Sequence, residues 1–362
     1  MEVIYKMWLH HTHMPEMVKL KLLNYKNKNY KNIYDMTYRE FDKIGVRYEY
    51  IKKMEESKKN MIKYSEIVEY TRQNSIDIID ITQTEYPKLL KEIPDPPIIL
   101  YGKGNKKSLL EEIKFAIVGT RQHSDYGEQM ARQFSAELSQ RGFCITSGMA
   151  LGIDAIAHES ALRQNNNTIA VLGTGVDICY PIVNNNLYNK ILEHGYMISE
   201  YAPRTMAKTY HFPKRNRIVS GMSVGVLIVE AGLKSGSLIT ANIALEQNRE
   251  VFSIPADVDK IRGRGTNEII KVSAAKLVEN IEDIMNDIPD HVTKKLISSK
   301  EQHSLDKVQS IVYNGLSWQP ISYAQLEYKT KIDTQSLDVA LMRLEMQQYI
   351  KKVLGNKYVK LK

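Results

Sequence analysis

Six short apolar runs, rich in β-branched side chains, recur between residues 115 and 254 of this chain. None of them alternates apolar with polar residues, which is typical of strands buried on both faces of a parallel sheet. The runs are 115–118, 143–146, 168–172, 196–199, 224–229 and 250–254. Amphipathic segments separate them, and in 125–141 the residues Met130, Phe134 and Leu138 recur every four positions. The alternation predicts an α/β fold with a mostly parallel, Rossmann-like sheet.

The 362 residues allow two or three domains, and the texture changes along the chain. Residues 1–75 are rich in lysine and tyrosine. Amphipathic stretches at 14–25 and 38–54 predict a small helical domain there, of the sterile-alpha-motif or helix-hairpin-helix type. Residues 76–286 contain the strand pattern and form the predicted core, and a polar stretch over 287–303 is the predicted linker after it.

Residues 304–362 form a further predicted module. Three amphipathic segments predict helices, near 304–314, 321–328 and 333–348. The runs 350–353 and 358–361 can then pair as a hairpin across a Gly-Asn turn. Three helices followed by a hairpin are typical of a winged-helix domain.

One basic run stands out within the predicted core, although the whole chain carries a formal net charge of only +8. Between Glu200 and Glu230 there is no acidic residue, whereas five lysines and arginines fall there. They are Arg204, Lys208, Lys214, Arg215 and Arg217. A basic run confined to one part of the core predicts a shaped site for a polyanion rather than a general polycation.

Several classes of protein are disfavoured by composition. The two cysteines, Cys144 and Cys179, lie in or beside apolar runs, which predicts reduced thiols, and no Cys/His spacing indicates a metal site. No apolar run approaches the roughly 20 residues that span a bilayer, and Met1 to Lys21 lacks a signal-peptide pattern. We therefore expect a soluble cytoplasmic protein without a metal, a cofactor or a membrane partner.

Glycine-bearing turns follow several of the predicted strands. Because the carboxyl ends of parallel strands share one edge of a sheet, these turns should lie together and offer backbone N–H groups and hydroxyls to phosphates. They are Gly119-Thr120-Arg121, Ser147-Gly148, Gly173-Thr174-Gly175 and, opening a helix, Ser235-Gly236-Ser237. A single turn of this kind is weak evidence, but four in one sheet predict a phosphate-binding edge.

The segment from His211 to Arg217 adds side chains suited to nucleic acid. Arg215 and Arg217 can hold phosphate oxygens, Asn216 can donate to sugar or base, and Phe212 offers a face for stacking. A stacked aromatic beside guanidinium groups is the combination that binds single-stranded DNA. In the structural alternative, Phe212 fills the core and the arginines pair with helix C-termini.

Other ligands and reactions fit these residues less well. The turn over 119–127 reads GTRQHSDYG, which is not the dinucleotide fingerprint, and neither an acidic residue after the second strand nor a P-loop is present. Asp154 and His158 lie four apart on a predicted helix and could suggest acid–base chemistry. With no nucleophile or metal ligand beside them, a capping or dipole role for Asp154 is favoured, and we expect no catalytic residues.

The ordered motifs resemble the DNA-processing protein A family (DprA, also called Smf). Over roughly residues 78–286 they include IVGTR, SGMALGIDAIAH, AVLGTGVDICYP, ISEYAP and HFPKRNRIVSGMS. The resemblance implies an extended Rossmann-like fold with no known reaction. It also implies homodimers that bind single-stranded DNA, more weakly duplex DNA, and load the recombinase RecA onto it during natural transformation.

Position by position, the resemblance implies that the DNA pocket includes Arg121, Ser147-Gly148 and the region from Lys208 through Phe212 to Arg217. Some positions depart from the family pattern. Leu151 stands where a basic residue is often found and Ile182 where a lysine is frequent, so two possible phosphate contacts are absent. At three further positions where glycine is common the chain has other residues, which are Asn248, Ala256 and Ser273.

Two alternatives remain. Related Rossmann-like proteins hydrolyse nucleoside monophosphates with a PGGxGTxxE loop, but the corresponding EAGLKSGSLITA has no acid after Ser235-Gly236. The second alternative is a transcription regulator that binds duplex DNA through the winged helix. Its third helix holds Asp333, Asp338 and Glu345 against Arg343, which a DNA groove would repel. We therefore expect this module to contact protein or the core.

Overall fold

The structure is a computed structural model, and it describes residues 2–110, 113–164, 167–289, 292–293, 307–317, 320–346, 349–353 and 355–360. Two compact units divide the chain, Met1–Leu296 and Ile297–Lys362. Most of the predicted linker over 287–303 lies outside the described residues, as do residues 304–306 and 347–348 of two predicted helices.

Six short helices begin the first unit. They are α1 (Glu2–His11), α2 (Glu16–Tyr25), α3 (Tyr30–Tyr34), α4 (Tyr38–Lys43), α5 (Tyr48–Lys58) and α6 (Met61–Gln73). The amphipathic stretch at 38–54 forms two helices, because Gly45 adopts φ 66° and ends α4, and a new helix starts after Arg47. Thr37 and Glu40 form a capping box that fixes the start of α4.

The N-terminal helices share a hydrophobic core with the sheet. Trp8, Phe41 and Met54 pack in one cluster with Ile99 and Tyr101. A hydrogen bond joins His10 Nε2 to the carbonyl of Glu200 at 2.9 Å, and the Lys6 ammonium lies 2.6 Å from the Asp80 carboxylate. Residues on both sides of position 75 belong to one compact unit. The domain boundary that we expect at residue 75 stays a prediction.

A nine-stranded sheet forms the centre of the first unit, in the order β1-β2-β6-β5-β4-β3-β7-β8-β9. The strands are β1 (Asp77–Asp80), β2 (Ile99–Gly104), β3 (Lys114–Val118), β4 (Cys144–Ser147), β5 (Thr168–Val171), β6 (Tyr196–Ser199), β7 (Gly225–Ile228), β8 (Glu250–Ser253) and β9 (Lys276–Leu277). The strands from β6 to β9 in that order run parallel, whereas β2 is antiparallel to both of its neighbours. The predicted α/β, Rossmann-like sheet is confirmed.

Helices cover both faces of this sheet. They are α7 (Lys88–Lys91), α8 (Lys107–Leu110), α9 (Asp125–Gln140), α10 (Ile153–Arg163), α11 (Asn185–His194), α12 (His211–Gly221), α13 (Gly236–Glu246), α14 (Arg264–Lys271) and α15 (Ile281–Met285). Phe115 of β3 packs with Phe134 of α9 on one face, and the next residue, Ala116, packs with Ile218 of α12 on the other. Successive strand residues thus enter two separate cores, which explains the unbroken apolar runs.

The second unit contains α16 (Lys307–Gly315), β10 (Ile321–Ser322), α17 (Tyr323–Thr330), α18 (Thr334–Met346), β11 (Ile350–Val353) and β12 (Lys357–Lys360). Its three strands pair in the order β10-β12-β11, and Val312, Leu326 and Leu341 lie in its core. The order of elements agrees with the sequence prediction, and the winged-helix assignment stays a prediction. Within the described part of the whole chain, no helix has the length and apolar character needed to cross a membrane.

Candidate functional site

A cleft of about 920 Å³ opens at the carboxyl ends of the central strands. The corner after β3, the turn after β4, the first turns of α12 and the start of α13 all line it. Ten of the predicted site residues meet there, and they are Gly119, Thr120, Arg121, Gly148, Phe212, Arg215, Asn216, Ser235, Gly236 and Ser237. The edge that the glycine turns predicted is therefore one continuous surface.

Four exposed cations line the cleft, and three of them were missed from the sequence. Arg121 was predicted, whereas Lys234, Arg262 and Arg264 were not. Among the described residues, no carboxylate forms an ion pair with any of the four, and the single acidic residue in the lining is the buried Asp154. The two missed arginines follow β8, whose carboxyl end lies at the same edge of the sheet. That position was the available signal.

Arg215 is buried and braces the cleft wall. Its Nη1 donates to the carbonyl of Gly148 at 2.6 Å and to the carbonyl of Val171, and its Nε donates to Asn216 Oδ1 at 3.2 Å. A Cβ atom at position 148 would collide with this guanidinium, so any residue other than glycine would force Arg215 to shift from its two carbonyl partners. Burial lowers the pKa of Arg215, although Asp154 opposes that effect. Its role is to hold two strand ends together.

Asp154 occupies backbone donors that the sequence assigned to phosphate. Its carboxylate accepts a hydrogen bond from the Gly148 N–H at 3.2 Å, and the N–H groups of Gly119 and Ala150 also donate to it. Burial raises the pKa of Asp154, against the effects of Arg215 and these donors. The residue lies in the first turn of α10, where a carboxylate is stabilised by the helix dipole. Of the two roles considered from the sequence, the dipole role agrees with this geometry, whereas Asp154 does not cap the helix, whose N-cap is Gly152.

Other corner groups are also used internally. Ser147 is fully buried and its Oγ donates to the Ile117 carbonyl at 2.6 Å, while the Thr120 N–H donates to the Glu230 carbonyl at 2.8 Å. His158 lies away from the cleft lining, and burial lowers its pKa to about 3, so the ring is neutral. Gly236 differs, because a Cβ there would meet nothing within 4 Å. The start of α13 is therefore the open part of the predicted backbone surface.

The corner after β5 does not line the cleft. The Gly175 N–H donates to the Thr205 carbonyl at 2.9 Å, and the buried Thr174 donates through Oγ1 to the Ile178 carbonyl at 3.1 Å. Gly173 lies beneath Phe212, and a Cβ on it would come within 2.9 Å of that ring. Gly173 thus supports an aromatic side chain of the cleft, and none of the three residues is part of the candidate site.

The basic run divides between the two sides of α12. Arg217 is buried away from the cleft, with Nε 2.9 Å from Asp95 Oδ2 and Nη2 2.8 Å from Glu200 Oε2. The Lys214 ammonium lies 3.1 Å from the same Glu200 oxygen, and the exposed Lys208 also lies outside the lining. Residues two apart on a helix face opposite sides, so Arg215 and Arg217 cannot share one site. Lys208, Lys214 and Arg217 are therefore not part of the candidate site.

An aromatic pair stands at the mouth of the cleft. The rings of Phe212 and Tyr180 stack with centroids 5.3 Å apart, and the Arg121 guanidinium lies 5.8 Å from the Phe212 centroid. Both rings line the cleft. The structural alternative, in which Phe212 fills the core, is therefore wrong. Tyr180 was not predicted from the sequence. An aromatic pair that is accessible from a cleft, next to exposed cations, can bind bases and phosphates together.

The fold and the cleft together define a Rossmann-like α/β protein with a cationic, aromatic-lined cleft at the carboxyl edge of its sheet. The chain belongs to the family described as DNA recombination-mediator protein A, whose sequence profile matches residues 77–289. This range contains the whole sheet and every residue that lines the cleft.

Individual relatives agree with this membership. The chain is 39% identical to the DNA processing protein DprA of Bacillus subtilis over 219 residues, which cover 60% of this chain and 73% of that protein. Among solved structures, DNA processing protein A of Streptococcus pneumoniae aligns with a TM-score of 0.66 and 33% identity, over 79% of this chain and 97% of that one. The Helicobacter pylori protein, solved in a study of its single-stranded-DNA binding mode, aligns with a TM-score of 0.53 and 34% identity, over 58% and 94%.

Proposed function

We propose that the cleft binds single-stranded DNA. The observation that carries the proposal is the set of four exposed cations without described ion-pair partners, beside an aromatic pair at one mouth of the cleft. A polyanion with separated charges satisfies such a set better than a single phosphate does. The similarity to the Helicobacter pylori protein, whose binding mode concerns single-stranded DNA, supports the same ligand.

In this proposal the exposed side chains of the cleft contact the DNA, and the buried ones support the cleft. Arg121, Lys234, Arg262 and Arg264 bind phosphates, and the hydroxyls and N–H groups at the start of α13 add hydrogen bonds. Phe212 and Tyr180 stack on bases, which must be unpaired to reach them, so duplex DNA binds more weakly. Arg215 and Asp154 hold the corners of the cleft in place and do not contact the strand.

Hydrolysis of a nucleoside monophosphate has less support. Among the described residues that line the cleft, the one carboxyl group belongs to Asp154, which is buried and held by backbone N–H groups. A group so placed is a poor general base for a ligand in the cleft. We therefore propose a binding protein that catalyses no reaction.

The salt dependence of DNA binding tests the assignment. Changing both Arg121 and Arg264 to alanine removes about two phosphate contacts, so the slope of log affinity against log salt should flatten by roughly 1 to 1.5. The loss should be the same for every base composition, because phosphates carry no sequence. Fluorescence anisotropy with an oligo-dT 20-mer at several salt concentrations measures both.

A matched control carries the same change of net charge. Arg39 and Arg47 are exposed and lie among the N-terminal helices, outside the cleft. Their double alanine variant should keep the slope of the unchanged protein. Equal slopes in all three proteins would show that the cleft does not bind the strand.

We further propose that the protein acts in the cytoplasm as a homodimer and loads RecA onto the bound strand during DNA uptake. The family membership supports this, together with an open cleft that leaves the rest of a long strand accessible. The test uses DNA already coated with a single-strand-binding protein. Addition of the chain should shorten the lag before RecA hydrolyses ATP, and the double variant of Arg121 and Arg264 should not. An equal lag with and without the chain would contradict the proposal.

A further inference from the structure

An exposed apolar surface continues outward from the mouth of the cleft. It consists of Leu151, Tyr180, Ile182 and Val183, which are 39%, 43%, 71% and 78% exposed, and we call it the apolar shelf. Tyr180 belongs to both surfaces, since it lines the cleft and also precedes the turn that carries Ile182 and Val183. The shelf is thus continuous with the candidate site.

Two loops from different parts of the chain form the shelf and are tied to each other. The Asn184 side-chain amide donates to the carbonyl of Met149 at 3.0 Å and to the carbonyl of Ala150 at 3.4 Å. This places the 182–184 turn directly against the turn that carries Leu151. Ala150 in turn lines the cleft.

The shelf has a well-packed base. Leu187 and Tyr188, in the first turn of α11, are buried in one apolar cluster with Met149. The Tyr188 hydroxyl also donates to the Val176 carbonyl at 2.7 Å. Ile182 and Val183 are exposed, but the residues that follow them, Asn184, Leu187 and Tyr188, are held in place by hydrogen bonds and apolar packing.

The charge pattern of the shelf contrasts with that of the cleft. Residues 178–189 contain no charged side chain, and neither do residues 149–153. Phosphates gain little from such a surface, because they are attracted by cations. Bases gain more, since their apolar faces can pack against exposed aliphatic and aromatic side chains.

Resting on the proposed function of the cleft, we infer that the apolar shelf binds the unstacked bases of the nucleotides that leave the cleft at Tyr180. The strand then changes its mode of contact along its path, from phosphate contacts at Arg121 to base contacts at Ile182 and Val183. Affinity depends on the presence of bases in this part of the strand and less on their identity, because an aliphatic surface offers no hydrogen-bond pattern.

The test compares two 20-mers with the same phosphates, oligo-dT and an oligomer of abasic tetrahydrofuran residues. The unchanged protein should bind oligo-dT more tightly. In the double variant Ile182→Ser/Val183→Ser the affinity for oligo-dT should fall about tenfold, whereas the affinity for the abasic oligomer should not change. Ile62→Ser, on α6, removes an equally exposed aliphatic side chain (76%) far along the chain and should change neither affinity.

The possible failures are distinct. If the unchanged protein binds neither oligomer, the proposed function of the cleft is wrong. If it binds both equally, neither the shelf nor the Phe212–Tyr180 pair binds bases, and only the phosphate contacts of the cleft stand. If the double variant loses affinity for both to the same extent, the cleft proposal stands and the shelf does not bind bases. A double variant that keeps its preference for oligo-dT but loses self-association in sedimentation would assign the shelf to a second copy of the chain and overturn the inference.

Discussion

Arg215 and Arg217 show how much the environment of a residue decides its role. Both are buried and lie two positions apart on α12, yet one contacts carbonyl oxygens and the other contacts carboxylates. Burial lowers the pKa of Arg217, but Glu200 and Asp95 more than offset this, so its pKa is raised. A guanidinium held in this way is not available to a mobile phosphate. The exposed guanidinium groups of Arg121 and Arg264 are available to one.

Replacing Arg217 by alanine separates these two roles. Among the described residues, the change leaves the buried Glu200 carboxylate with the half-exposed Lys214 as its remaining ion-pair partner, so the free energy of unfolding should fall by roughly 3 kcal/mol. The salt dependence of oligo-dT binding by the folded variant should not change. Urea unfolding measures the stability, and anisotropy titration at several salt concentrations measures the slope.

The matched variant for this prediction is Arg121→Ala, which should behave in the opposite way. An exposed side chain without an ion pair contributes little to stability, so unfolding should shift by less than about 0.5 kcal/mol. Its salt slope should flatten by about 0.7, the share of one phosphate contact. A flattened slope in Arg217→Ala at unchanged stability would place Arg217 on the DNA after all.

At the level of elements, the sequence is informative where a strand is buried on both faces. All six predicted strands of the central sheet are present within one or two residues of their predicted bounds, because each must fill two cores at once. The three strands that were missed lie towards the sheet edges. β1 is the acidic DIID and β9 has two exposed residues, so neither carries an apolar run.

In the candidate site, too, some features could be predicted from local sequence patterns and others could not. The glycine turns after β3 and β4 and the start of α13 were predicted, since parallel strands end at one edge. The partners of Arg217 were not, because Asp95 and Glu200 come from distant parts of the chain and no local pattern joins them. Arg262 and Arg264 follow a strand that was predicted, but without a glycine corner to draw attention to its end. Short-range patterns locate the edge, and the fold decides which cations face it.

At the scale of the molecule, the whole cleft belongs to the first unit. Every residue of its lining lies between Val118 and Arg264, and the second unit has its own core around Leu326 and Leu341. The helix α18 carries Asp338 and Glu345 on a segment that would have to enter a DNA groove in a duplex reader. This supports the expectation that the second unit contacts protein.

A chain that ends at residue 296 tests whether the first unit alone binds DNA. Because the cleft and the apolar shelf both precede that residue, the shortened chain should bind an oligo-dT 20-mer with the affinity and salt slope of the full chain. Its affinity for a duplex of the same length should also stay the same, since an acidic helix adds no attraction for phosphates. Anisotropy titrations with both ligands measure this, and urea unfolding checks that the shortened chain remains folded. A selective loss of duplex affinity would instead assign duplex binding to the second unit, through its basic hairpin of β11 and β12 rather than through α18.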